Sequence, residues 1–139
     1  MAHRSGSDRT YALGIGGFFV GHALFIASAA TRLRFSEMAL VVGLLLLGLY
    51  AAFLRLHIMP KLPETLKIPA IAYTMISVLG FTLSLMTGDF RYALSIALLL
   101  FSDTMIAEAD FAGNRRADLL VLPTYYLCHI LVAASAILM

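Results

Sequence analysis

Residues 38–56 read MALVVGLLLLGLYAAFLRL, a run in which Arg55 is the one charged side chain. A helix rises about 1.5 Å per residue and the hydrocarbon core of a bilayer is about 30 Å thick, so about 20 apolar residues cross it. The run therefore has the length and composition of a membrane-spanning helix. Four further stretches meet the same criterion, and the five predicted spans are A (Tyr11–Ala30), B (Met38–Leu56), C (Ile68–Met86), D (Phe90–Phe111) and E (Leu119–Met139).

The composition of the whole chain agrees with an integral membrane protein. Of its 139 residues, 61% are hydrophobic and 13% are charged, against about 45–50% and about 25% in a soluble domain. This balance excludes a disordered chain, and the net charge of +2 is too small for a nucleic-acid partner. The single cysteine, Cys128, forms no internal disulfide, so cysteine content does not indicate the redox compartment.

The connections between the spans are short and polar, which predicts a single domain. None is long enough to fold separately, and the sequence has no internal repeat. Short connections make successive helices antiparallel neighbours. We therefore expect residues 1–139 to form one all-α, polytopic membrane helix bundle.

The distribution of basic residues predicts the orientation of this bundle, because cytoplasmic connections carry an excess of Lys and Arg. One side of the bundle has Arg32, Arg34 and Arg91. The other side has the remaining seven, which are Arg4, Arg9, Arg55, Lys61, Lys67, Arg115 and Arg116. We therefore expect the N-terminus to lie in the cytoplasm, and the compact, Arg-rich connections favour a bacterial inner membrane.

Span A also has features of a signal peptide. A basic start precedes an apolar run that ends in small residues, Ala27-Ser28-Ala29, as at a cleavage site. The run is long for a signal peptide and contains His22, which favours a membrane span.

Asp103, in the middle of span D, is the first candidate for chemistry. A charge that faces lipid is costly, so an ionisable side chain in mid-span normally faces the bundle interior and marks a functional site. Desolvation favours the neutral form of an isolated carboxyl group, and a neutral carboxylic acid can donate its proton to a substrate. The alternative is structural, with a neutral Asp103 hydrogen-bonded to a neighbouring helix.

His22 is a second candidate, beside a glycine face of span A. Gly14, Gly17 and Gly21 form this face, and such faces typically let another helix approach closely. His22 is one residue off the face, where we expect it to line an adjoining cavity. A hydrogen-bonded interior histidine without a catalytic role is the alternative.

Span E carries a third candidate, His129. Tyr125 and Tyr126 precede it by four and three residues, which places both on its side of the helix, although tyrosines near a span end are also typical of the membrane interface. His22, His129 and Asp103 are all metal-ligand types, but they lack the spacing of a known metal motif.

Several of these residues recur together in one family of membrane proteins. The blocks are Gly-Phe-Phe-Val-Gly-His-Ala-Leu-Phe (Gly17–Phe25), Pro69–Tyr73, Leu100-Phe101-Ser102-Asp103 continuing to Phe111, and Tyr125–Ser135. In order and spacing they resemble the YhhN family of lysoplasmalogenase-like proteins over nearly the whole chain. The resemblance implies a multi-pass hydrolase that cleaves the vinyl ether of a lysoplasmalogen into a fatty aldehyde and a glycerophospho-alcohol.

The sequence departs from the family's pattern at three places. Family members have additional spans before the Phe-x-x-Gly-His block, one of them with a Gly-Asp pair that supplies a second acid, and this sequence opens just ahead of the block. His129 stands where the family has Gln, and Gly80 stands where it has Met. We therefore expect either a truncated start or a shortened family member, for which a non-catalytic role in binding lipid or another membrane protein is the alternative to hydrolysis.

Vinyl ether hydrolysis needs a proton donor, a group that guides water and stabilisation of a cationic intermediate. We assign proton donation to Asp103, and the handling of water to His22 or His129. The residues that we expect to bind the substrate are Tyr73, Ser102, Tyr125 and Tyr126, with Arg115 and Arg116 near its phosphate. The reaction requires no metal or organic cofactor.

The partners expected from this interpretation are a lysophospholipid substrate and membrane lipids, and the sequence leaves open whether copies of the chain form a homo-oligomer. A proton-coupled carrier is a third interpretation of the buried Asp and His residues. Carriers typically have broken helices or inverted halves, and five spans without a repeat argue against one.

Overall fold

The structure is a computed structural model that describes residues 5–137, without the side chains of residues 5–9, 11 and 12. Its five long helices are α1 (Ser5–Ala30), α2 (Glu37–Phe53), α3 (Glu64–Leu85), α4 (Phe90–Asp110) and α5 (Arg115–Ile137). Each helix, α2 with the turns that continue it, is long and apolar enough to cross a membrane, and no strand forms between residues 5 and 137. The predicted all-α membrane bundle is therefore confirmed. Arg4, the side chain of Arg9 and the last two residues of span E lie outside the described part of the chain.

Helix α3 lies at the centre of the bundle, because it packs against α1, α2 and α4, while α5 packs along α4. Two clusters of buried apolar side chains lie near opposite ends of the bundle. They consist of Ala29, Tyr92 and Ile96 at one end, and of Ile58, Leu62 and Leu66 at the other. Many large apolar side chains on the outer faces of the helices are exposed, as expected of a surface that faces lipid.

The contact between α2 and α3 depends on Gly43. A β-carbon at this position would lie 2.6 Å from Cγ2 of Thr82 and closer still to its Oγ1. Thr82 is itself held in place, since its hydroxyl donates to the carbonyl oxygen of Val78 at 2.8 Å. The two helices therefore approach closely only because Gly43 has no side chain.

Gly43→Ala is expected to destabilise the bundle, because the added methyl group overlaps Thr82, and overpacking of this kind typically costs about 1–3 kcal/mol. Gly48→Ala in the same helix is the matched control, since a β-carbon there meets no atom within 4 Å. Thermal unfolding in detergent should give a lower Tm for G43A, and an unchanged or higher Tm for G48A because alanine favours helix over glycine. Equal midpoints for the two variants would contradict the close contact.

Asp89 begins α4 and connects it to neighbouring parts of the fold. Its Oδ1 accepts hydrogen bonds from the backbone N–H groups of Arg91 and Tyr92 at 3.0 and 3.3 Å, which is a helix N-cap. Its Oδ2 accepts from the hydroxyl of Ser135 on α5 at 2.5 Å and lies 4.0 Å from Nη1 of Arg32. The Ser135 hydroxyl is the main cause that holds the pKa of Asp89 below its usual value.

Asp89→Ala is expected to reduce stability, because loss of an N-cap typically costs about 1 kcal/mol. Because the folded pKa is lowered, the ionised carboxylate stabilises the fold, and this effect is lost as the pH falls through the folded pKa. Asp89→Asn, which retains a capping oxygen without the charge, is the control. At pH 7 we expect Tm to decrease from wild type to D89N to D89A, and a D89A protein as stable as wild type would rule out the capping role.

The connection between α2 and α3 continues the helical path instead of forming an open loop. Leu54–Ile58 form one π-helical turn, and Met59–Lys61 follow as a 3₁₀ turn. His57 Nε2 in the π turn lies 3.0 Å from Oε1 of Glu108 near the end of α4. This connection therefore covers one end of the bundle interior and is joined to α4 there.

Candidate active site

Asp103 and Tyr73 meet in the interior, where α4 faces α3. The Tyr73 hydroxyl donates to Oδ2 of Asp103 at 2.5 Å, and the side chain of Asp103 is only 9% exposed. Among the described side chains, no Lys or Arg forms an ion pair with Asp103. Within the described part of the chain, the carboxyl group therefore has a hydrogen-bond donor beside it but no permanent cation.

His22 on α1 faces the same carboxyl group. Its Nδ1 lies 3.0 Å from the carbonyl oxygen of Phe18. Because a carbonyl oxygen only accepts, Nδ1 carries the proton, and the neutral ring presents Nε2 as an acceptor. Nε2 lies 3.7 Å from Oδ2 of Asp103, which is beyond hydrogen-bond distance.

Among the described residues, the Nε2 atom of His22 has no hydrogen-bond partner, although the residue is only 1% exposed. A buried polar atom left in this state typically costs about 1–3 kcal/mol. An unpartnered buried polar atom calls for a specific explanation. One explanation is that Nε2 accepts a proton during a reaction.

A cavity of about 370 Å³, which we call the first cavity, lies beside Asp103 and Tyr73. Its wall is mostly apolar and includes Phe18, Phe53 and Leu100. The polar side chains in the wall are Thr10, Tyr50, Tyr73, Thr74, Ser77, Asp103 and Thr104. An apolar pocket with a few polar groups is typical of a small-molecule site, and this one suits a molecule with a long hydrocarbon chain.

A second cavity, of about 310 Å³, lies between α1 and α5 and is lined by His22, Tyr125 and His129. The glycine face of α1 also lines it, and a β-carbon at any of its three glycines would meet no atom within 4 Å. The close helix approach predicted for this face is therefore not found in the described chain, whereas the predicted cavity beside His22 is. The rings of Tyr125 and His129 lie 4.4 Å apart between centroids.

Four predicted site residues lie outside the walls of both cavities. Ser102 is fully buried, and its hydroxyl donates to the carbonyl oxygen of Val121 on α5 at 3.1 Å, so it joins two helices. Tyr126 is 62% exposed on the outer surface of α5. Arg115 and Arg116 are exposed at the start of α5, at the same end of the bundle as the first cavity.

Sequence reasoning missed Tyr50 and Thr104, whose hydroxyl oxygens lie 2.6 Å apart in the wall of the first cavity. Two signals were present in the sequence. Tyr50 is the one polar side chain between Met38 and Leu54, and Thr104 directly follows Asp103. A lone polar group in an otherwise aliphatic span indicates a face that is turned toward the interior.

His22 and Asp103 come from the two blocks, residues 17–25 and 100–111, that carry the family resemblance most specifically. A family model described as the YhhN family matches residues 3–136. The chain belongs to the YhhN family. No curated protein and no solved structure matches the chain. The fold of this YhhN protein thus brings residues from its two most specific blocks to within 3.7 Å of each other.

The metal alternative for this YhhN protein requires a cluster of ligand side chains. Among the described residues, no three or more His, Cys, Asp or Glu side chains are grouped so that they could hold a metal ion. Asp103 lines the first cavity and His129 the second, so the three residues considered from the sequence do not converge on one point.

Proposed function

We propose that this protein is an intramembrane hydrolase that cleaves the vinyl ether bond of lysoplasmalogens into a fatty aldehyde and a glycerophospho-alcohol. The observation that carries the proposal is the position of Asp103. Its side chain is only 9% exposed, pairs with no Lys or Arg among the described side chains, and lies in the wall of a mostly apolar cavity. Membership of the YhhN family is compatible with a hydrolase.

The first step of the proposed reaction is protonation of the alkene. Neutral Asp103 donates its proton to the β-carbon of the vinyl ether, and the alkene electron pair forms the new C–H bond. This step leaves an oxocarbenium ion on the lipid and a carboxylate on Asp103. The hydroxyl of Tyr73 stabilises that carboxylate, whose negative charge in turn stabilises the adjacent cation.

The second step is the addition of water to the oxocarbenium ion. His22 Nε2, the unpartnered acceptor that faces Asp103, takes the proton that the water loses as the C–O bond forms. In the resulting hemiacetal, the proton of the hydroxyl group passes to the glycerol oxygen as the bond between carbon and that oxygen breaks, which gives the aldehyde and the alcohol. Return of the proton from His22 to Asp103 restores both groups. His22 is the more suitable base, since its Nε2 lies 3.7 Å from Oδ2 of Asp103, whereas the ring of His129 packs against Tyr125 in the wall of the second cavity.

The lining of the first cavity supports one orientation of such a lipid. The alkenyl chain lies against Phe18 and Phe53, and the ether group lies at the polar part of the wall. The phosphate then points toward the end of the bundle where Arg115 and Arg116 are exposed. Because both arginines are exposed, we assign them electrostatic attraction of the head group and no role in the chemistry.

The proposal is tested with three lysolipids that share chain length and head group and differ only in an alkenyl, acyl or saturated alkyl linkage. The purified chain in detergent should release aldehyde from the alkenyl lipid and leave the other two intact. Release of fatty acid from the acyl lipid would identify an esterase instead. Binding of all three without any product would favour the non-catalytic, lipid-binding alternative and overturn the proposed activity.

A further inference from the structure

Tyr50 and Thr104 form a polar pair in the wall of the first cavity that the proposed mechanism leaves unused. Tyr50 is on α2 and Thr104 is on α4, directly after Asp103. Their hydroxyl oxygens lie 2.6 Å apart. The carbonyl oxygen of Leu100 lies 2.8 Å from Oγ1 of Thr104 and 3.4 Å from the phenol oxygen of Tyr50.

The hydroxyl protons of this pair are both used within the protein. In the arrangement with the shorter distances, Thr104 donates to Leu100 and Tyr50 donates to Thr104. In the reverse arrangement, Thr104 donates to Tyr50 and Tyr50 donates to Leu100. Each hydroxyl has one proton and two lone pairs. In either arrangement the phenol oxygen of Tyr50 has already donated its proton within the protein and still has at least one free lone pair. Toward a molecule in the cavity, Tyr50 is therefore a hydrogen-bond acceptor.

We propose that Tyr50 is a specificity-determining residue that accepts a hydrogen bond from the free hydroxyl group of the lysolipid glycerol. This inference rests on the proposed function. When the vinyl ether lies at Asp103, the glycerol hydroxyl is only a few bonds beyond the ether oxygen, and the neighbouring position along α4 holds the Tyr50–Thr104 pair. A glycerol in which this hydroxyl group is esterified has no proton to donate to Tyr50. The Tyr50 site therefore disfavours doubly substituted lipids.

The direct test compares the alkenyl lysolipid with its 2-deoxy analogue, in which hydrogen replaces the glycerol hydroxyl, on wild type and Tyr50→Phe. A neutral hydrogen bond contributes about 0.5–1.5 kcal/mol, which corresponds to a preference of up to about tenfold. Wild type should therefore turn over the hydroxyl substrate with a kcat/KM several-fold above that of the analogue. Y50F should lose this preference while keeping the wild-type kcat/KM for the analogue, which also shows that the variant is folded.

A Y50F protein that loses the same factor on both substrates would overturn the inference, as would a wild type that does not distinguish them. The proposed function fails separately, by absence of aldehyde from either lipid. In that event the same comparison is made by ligand-induced stabilisation, since a ligand raises Tm according to its affinity for the folded state. The hydroxyl lipid should then raise the Tm of wild type more than the analogue does, and Y50F should show equal shifts. Equal shifts in wild type would again refute recognition by Tyr50.

Discussion

Asp103→Asn is expected to reduce aldehyde release by about 10²–10⁴-fold, the range that a general acid contributes to a reaction rate. Asparagine has nearly the same shape and still offers an oxygen to the Tyr73 hydroxyl, which donates to Asp103 at 2.5 Å in the native protein. It has no acidic proton to transfer to the alkene. Initial rates at saturating alkenyl lysolipid in detergent, with Tm measured alongside, separate lost chemistry from lost folding.

The matched control for this substitution is Asp110→Asn. Asp110 is the last residue of the same helix, is exposed and does not line either cavity. The same chemical change at that position should leave the rate within about twofold of wild type, since surface substitutions away from a site typically change little. Full activity of D103N at normal expression would remove Asp103 from the mechanism.

The second large effect is expected at His22. His22→Gln should lower kcat by about 10²-fold or more, because the amide oxygen of glutamine is a poor base for the attacking water. KM should change little, since His22 does not line the first cavity, where the lipid chain binds. His129→Gln distinguishes the two histidines, since a comparable loss in H129Q together with retained activity in H22Q would identify His129 as the base instead.

Chemical rescue gives a sharper test of the same role. His22 borders the second cavity, so His22→Gly should enlarge that space and allow imidazole from the buffer to reach the position of the missing ring. Imidazole should then restore part of the activity of His22→Gly and none of that of H22Q, in which the glutamine side chain fills the space. If neither variant responds while both remain folded, a purely structural role for His22 becomes the better account.

A helix of the structure covers most of each predicted span, but three of the helices begin four or more residues earlier than the hydrophobic pattern predicts. Helix α1 begins at Ser5, six residues before its predicted span. Helix α3 begins at Glu64 and α5 at Arg115, each four residues before the predicted start. The missed turns contain charged residues, among them Lys67 and Asp118. A helix continues from the hydrocarbon core into the polar interface without any change in its backbone. A criterion based on hydropathy therefore places the start of such a helix too late in the sequence.

The site itself was predictable only in part. Asp103 follows from the cost of a charge in lipid, and that argument requires no knowledge of its neighbours. The roles of Ser102 and Thr104, which flank it, depend on which helix packs on each face of α4. Ser102 faces α5 and bonds its backbone, whereas Thr104 faces α2 and meets Tyr50. Helix geometry sets the angle between two side chains on one helix. Which neighbouring helix packs against each side chain depends on tertiary packing.

The π-helical turn at Leu54–Ile58 has a consequence for how related chains are aligned. Such a turn holds one residue more than an α-helical turn, and each residue accounts for about 100° of rotation around a helix axis. Removing a single residue from it would leave all five membrane helices intact but turn Ile58 and Leu62 out of the cavity wall, which they now help to form. A one-residue gap at this point in an alignment therefore separates proteins with the same helices but differently shaped interiors.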